Sequence, residues 1–130
     1  MSTSSAVTRG IKIEVESQFD AARSRPHESQ WFYVYSIRIT NESAETVQLL
    51  SRHWIIHDSA GKVEEVRGPG VVGRQPVLDP GEEFEYSSGC PLGTSFGTMH
   101  GTYQMIETRT GESFDVEIAP FALGEPHSIN

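Results

Sequence analysis

Three glycines, Gly68, Gly70 and Gly73, stand in G-x-G-x-x-G order within the stretch RGPGVVGRQP at 67–76. Dinucleotide-binding turns use that spacing, because the glycines let a strand pass tightly into a helix whose N-terminus meets a pyrophosphate. The context such a turn needs is missing. Pro76 and Pro80 interrupt any helix after Gly73, and no strand–helix–strand pattern surrounds the motif. Two readings of the segment remain. In one, the glycines supply positive φ or close backbone approach in a connection between sheets. In the other, the loop is a binding surface whose N–H groups form an anion nest, with Arg67 and Arg74 at its rim.

The other residues with chemical potential are less organised. His53 and His57 are four apart, which converges on a helix but separates them by about 13 Å on a strand, at about 3.3 Å per residue. One ion cannot bridge that gap, and a cross-strand partner such as His100 would be needed. No metal site is assigned. Cys90, in SGCPL, has no neighbouring cation or helix N-terminus to lower its pKa, and reads as a small structural thiol. Ser87 and Ser88 lie in no nucleophile-elbow sequence, and Glu82 and Glu83 read as a solvated strand edge. Trp31, Tyr33 and Tyr35 could stack bases only beside a basic groove, so they read as core. Catalytic residues and cofactors are therefore not assigned either.

The elements that must position these groups are strands. In GIKIEVE at 10–16, Ile11, Ile13 and Val15 alternate with charged residues, the mark of a half-buried strand. WFYVYSIRIT at 31–40 puts Trp31, Tyr33, Tyr35, Ile37 and Ile39 on one face and reads as a central strand. Val47 and Leu49 point one way, whereas Leu50, Trp54 and Ile56 take the opposite parity, which predicts a bulge near Leu49–Leu50. DSAGK at 58–62 predicts a tight reversal, and DPG at 79–81 a type II turn. EEFEYSS, MHGTYQMIE and ESFDVEIA supply the later strands, while 18–30 reads as a long polar loop. About seven strands joined by short turns pair antiparallel. They predict an all-β sandwich of the immunoglobulin or fibronectin-III type.

The chain has 130 residues, enough for one domain with one core. The expected organisation is a flexible tail at 1–9, the sandwich at 10–123 and a second tail at 124–130. Of the formal charge of −8, residues 1–74 contribute nothing, and 75–130 carry all of it against the single cation Arg109. A phosphate backbone or an anionic membrane needs clustered cations, so neither nucleic acid nor membrane is an expected partner. A lone cysteine and an N-terminus without an apolar core predict a cytoplasmic protein.

The stretch SRHWIIHDSAGKVEEVRGPGVVGRQPVLDPGEEFEYSSGCPL at 51–92, with FGTMHGTYQM and ESFDVEIAPFAL after it, resembles the ApaG family. The likeness runs from about Ile11 to Leu123, and Gly68, Gly70, Val71, Gly73 and Pro76 match the family's loop motif. The resemblance implies a fibronectin-III-like sandwich. It also implies an association with cobalt and magnesium resistance and, by gene neighbourhood, with diadenosine-tetraphosphate hydrolysis. Related domains in F-box proteins and in a polymerase-delta-interacting protein imply protein interaction. The expectation is a non-enzymatic module that binds another protein through Arg67, Gly68, Gly70, Val71, Gly73, Arg74 and Pro76. The alternative is a sensor of a pyrophosphate-bearing nucleotide, another anion or a divalent cation.

Overall fold

Alternation decides which face each strand buries, and the computed structural model, which describes residues 1–124, packs those faces together. Its strands are β1 (Ser2–Thr8), β2 (Ile11–Phe19), β3 (Trp31–Asn41), β4 (Val47–Asp58), β5 (Val63–Pro69), β6 (Val77–Leu78), β7 (Glu83–Leu92), β8 (Phe96–Glu107) and β9 (Ser113–Gly124). One sheet has the order β1-β2-β3-β7 and the other β5-β4-β8-β9, with β6 pairing β4 beyond the end of β5. Every pairing is antiparallel, as an all-β sandwich requires. Ile13 and Val15 of β2 and Tyr33, Tyr35, Ile37 and Ile39 of β3 are buried. Trp54 of β4 stands at the centre, its ring 5.5 Å from Tyr35, 6.1 Å from Phe121 and 6.3 Å from Tyr103, each edge-on. Such edge-to-face pairs fix relative orientation as well as burying area.

Residues 1–9 are not a tail. Ser2–Thr8 pair with Ile11–Ser17 through a two-residue hairpin in which Arg9 (φ 49°) and Gly10 (φ 80°) both take positive φ. The polar composition that suggests a tail serves a different purpose. Ser4 Oγ donates to the Ala119 carbonyl at 2.9 Å, and Ser17 Oγ to the Ala122 carbonyl at 2.6 Å. The amides of Ala122 and Glu117 donate in turn to Ser2 Oγ and Thr8 Oγ1. These hydroxyls satisfy the free edge of β9, which would otherwise present unpaired backbone groups. The long 18–30 loop begins later than expected, since β2 runs to Phe19, and it contains two short 3-10 turns at Ala21–Arg23 and Pro26–Glu28. Of the expected 124–130 tail, Gly124 closes β9 and the rest lies outside the described residues.

The predicted irregularities are present. The β4–β8 register shifts between Leu49 and Ser51, leaving Leu50 as the extra residue, so that Leu49 and Trp54 both reach the core despite opposite parity. Asp79–Glu82 closes with Glu82 N–H donating to the Asp79 carbonyl at 2.9 Å, and Gly81 has φ 87°, as a type II turn demands. A second register shift lies between Met99 and Gly101, opposite Pro120 on β9, where a residue without an N–H costs no ladder bond. At Gly101 the strands leave no room for a side chain, because a Cβ there would stand 2.0 Å from the His53 carbonyl oxygen. Gly101→Ala is expected to cost about 3 kcal/mol, read as a lowered urea midpoint. Gly93→Ala, where nothing lies within 4 Å, is the control and stays within about 0.5 kcal/mol.

Candidate binding loop and its cavity

The extra residue in β4 creates the opening that the glycine segment fills. β5 pairs β4 as far as Ser51–Pro69, and β6 resumes at Gln48–Val77, so residues 70–76 leave the sheet exactly where Leu50 bulges. The Leu50 carbonyl accepts from Gly70 N–H at 2.8 Å and from the Gln75 side-chain amide at 2.9 Å. Leu49 N–H donates to the Pro76 carbonyl at 3.0 Å. Between these anchors Val71 and Arg74 exchange both backbone bonds, at 2.8 and 2.9 Å, around a two-residue turn. The excursion folds over towards the other sheet: Val71 is buried, and the Arg74 guanidinium lies over the Phe84 ring of β7 at 5.9 Å.

Each glycine has its own reason. Gly68 lies under the Arg52 guanidinium, whose atoms would stand 3.0 Å from a Cβ. Gly70 combines φ 59° with a Cβ position 2.3 Å from the Arg74 carbonyl oxygen, so only glycine fits. Gly73 (φ 79°) is the second corner of the turn. The first corner is Val72, at φ 43°, a region that β-branched residues avoid because Cβ meets the backbone. Its side chain is 54% exposed.

Pro69, Val71, Val72 and Gly73 roof an open cavity of about 350 Å³ between the sheets. Its floor and walls are Tyr35 of β3, Arg52 and Trp54 of β4, and Tyr86 and Ser88 of β7. The Tyr86 and Tyr103 hydroxyls are hydrogen-bonded to each other across the sheets. Burial pushes both phenols well above their ordinary range, and it raises Tyr35 too, so all three stay protonated at neutral pH. Arg52 Nη1 donates to the Pro69 and Gly70 carbonyls, both at 2.9 Å, and ties the roof to β4.

The residues marked in the sequence thus form one continuous segment, but their parts differ. Arg67 points to Glu65 at 3.6 Å, and neither it nor Arg74 lines the cavity under the loop. Of the amides expected to form a nest, those of Gly70, Val71 and Arg74 are spent on carbonyls of the chain itself, which leaves those of Val72 and Gly73 at the tip. No helix follows Gly73; β6 follows instead, as the missing helix signals predicted. The cation in the cavity is Arg52, which sequence reasoning passed over; its one signal was its place two residues after the predicted bulge. Nothing in the sequence brought Tyr35, Trp54, Tyr86 and Ser88 together, since they are spread over three strands of two sheets.

Elsewhere, His53 Nε2 and Glu65 Oε1 are 2.8 Å apart, and the His57 ring stacks on that of His100 at 5.7 Å. Among the described residues no three His, Cys, Asp or Glu side chains converge as metal ligands. Cys90 is buried, and desolvation pushes its thiol up to about 11.

Comparison with known proteins places this architecture. The model of the ApaG domain matches residues 21–107, the span that holds the bulge, the glycine loop and the cavity. The chain belongs to the ApaG family. Protein ApaG of Bradyrhizobium sp. (strain ORS 278) is 54% identical over 121 residues, covering 93% of this chain and 92% of that one. Protein ApaG of Rhodospirillum centenum is 53% identical over 123 residues, covering 95% and 94%. A crystal structure from Bordetella pertussis superposes with a TM-score of 0.87 at 47% identity, covering 91% of this chain and 95% of that one. A protein from Archaeoglobus fulgidus shares the fold alone, at 12% identity and a TM-score of 0.52. Among the described residues of this ApaG chain, no helix is long and apolar enough to cross a membrane.

Two measurements test the local geometry. Val72→Asn, which suits the first corner of such a turn, is expected to raise stability by about 1 kcal/mol in urea unfolding, whereas Gly70→Ala lowers it by about 2 kcal/mol or more. Alkylation of Cys90 by iodoacetamide at pH 8, followed by mass spectrometry, should run more than about 100-fold slower than for free cysteine, because the thiolate is so scarce.

Proposed function

We propose that this ApaG chain is a non-enzymatic recognition module that binds another protein in the cytoplasm, using the 67–76 loop and the strand edge leading into it. The observation that carries this reading is Val72. A β-branched apolar side chain is held at positive φ and presented to solvent at the tip of the loop. Strain of this kind costs about 1–3 kcal/mol and marks positions where presentation outweighs stability. Val66, also exposed, lies on the core-side face of β5 opposite Trp54, while the exposed Val63 and Val77 lie on the outer face of β5 and β6. β5 is an edge strand, so its outer backbone groups are available to a partner.

The chemistry of the interior favours binding over catalysis. Cys90 is held protonated, and the cavity phenols pair with neighbours and stay neutral. The alternative of a nucleotide-phosphate sensor is weakened because the amides of Gly70, Val71 and Arg74 already have acceptors within the chain, which leaves those of Val72 and Gly73 at the tip.

Crosslinking pull-downs from the native cell are the test. Val66→Asp and Val72→Asp should each reduce the recovered partner at least tenfold by quantitative mass spectrometry, with circular dichroism unchanged. Recovery of the same partners in the same amounts from both variants rules out this surface.

A further inference from the structure

The cations of this acidic chain are almost all matched. Among the described residues every lysine and arginine has a carboxylate oxygen within 4.0 Å except Arg52 and Arg74, and both flank the 70–73 turn. Arg74 is exposed and rests over Phe84. Arg52 is half-buried in the cavity wall, with its Nη1 held by Pro69 and Gly70 and no acceptor in the described residues for Nε or Nη2. A guanidinium fixed by one nitrogen presents the other two as a planar fork, the geometry that grips a carboxylate with two parallel bonds. Leaving that fork without an anion in a chain with eighteen Asp and Glu residues is a notable omission.

The space beside the fork has a second character. Trp54, Val71, Val72 and Pro69 give it apolar walls, and Ser88 and Tyr35 supply hydroxyls. A group suited to both is a carboxylate next to an apolar side chain. The cavity also lies where β5 ends, at Pro69, and the outer edge of β5 is open to strand addition.

Resting on the recognition reading of the loop, we propose that the cavity receives the C-terminal residue of an extended partner segment. The terminal carboxylate sits on the Arg52 fork and the last side chain lies between Trp54 and Val72. The preceding residues pair along β5. The recognised chemistry is a free peptide C-terminus on an apolar residue, a ligand of one negative charge that the chain's own acidic surface does not supply at this point.

The test uses the whole chain, labelled with nitrogen-15, and pools of octapeptides randomised at every position. One pool carries free C-terminal acids, a second C-terminal amides, and a third amides with glutamate fixed at the last position. The free-acid pool should shift the Trp54 indole N–H and the amides of Val72 and Gly73. Both amide pools should give a tenth of that shift or less, and Arg52→Gln should remove the response to the free acids. Because Arg52 also anchors the loop, the comparison of acid with amide on the unaltered protein stands without any variant. Equal responses to acids and amides, a response confined to the glutamate pool, or silence towards all three overturns the proposal. If the pools are silent while Val72→Asp still abolishes partner capture, the loop reading survives and the carboxylate reading falls. If the acids bind while capture is insensitive to the loop, the reverse holds.

Discussion

A strand has two faces and a period of two, and β4 breaks that rule by one residue. Leu50 is the surplus, and its carbonyl, turned out of the ladder, accepts two bonds from the segment that replaces the missing neighbour strand. The remaining features of the site follow from it. The edge of the second sheet is divided into β5 and β6, the chain between them is released to cross towards β7, and a hollow is left beneath the crossing. Parity on either side of the bulge is reset, so Leu49 and Trp54 serve the same core from one strand. A regular β4 would bury one of them and turn the other outwards.

Much of this could be read from residue order because alternation is local. The bulge, the type II turn at Asp79–Glu82, the central position of β3 and the absence of a helix after Gly73 are each set by residues within a few positions of one another. The first strand escaped because its signal is not hydrophobic. Its serines and threonine are there for a carbonyl and two amides on β9 of the other sheet, over a hundred residues away, and composition alone made them look like a tail. β6 escaped because two residues are too few to show a period. The loop was visible as a motif, yet the meaning of its cations was not. Arg67 and Arg74 are near in sequence but turn to Glu65 and Phe84, whereas Arg52, far from the motif in sequence, ties the loop down.

The electrostatics are similarly divided between surface and interior. Most charges of the chain are exposed pairs such as Arg38 with Glu85, which at 2.7 Å is well formed but solvated and worth little. Around the aromatic centre three phenols and a thiol are all held protonated by burial, and the one buried carboxylate among the described residues, Glu107, is ion-paired with Arg9 and Arg109. Beside these neutral groups, Arg52 is the charged side chain that lines the cavity.

The hydroxyl bonds from β1 and β2 to β9 make the two long sides of the sandwich unlike. One is a seam, sewn by side chains to a backbone edge; the other is a mouth, spanned by a single strained loop. The seam begins at Ser2, the first residue of β1, so a segment fused ahead of it hangs from the closing thread of the fold.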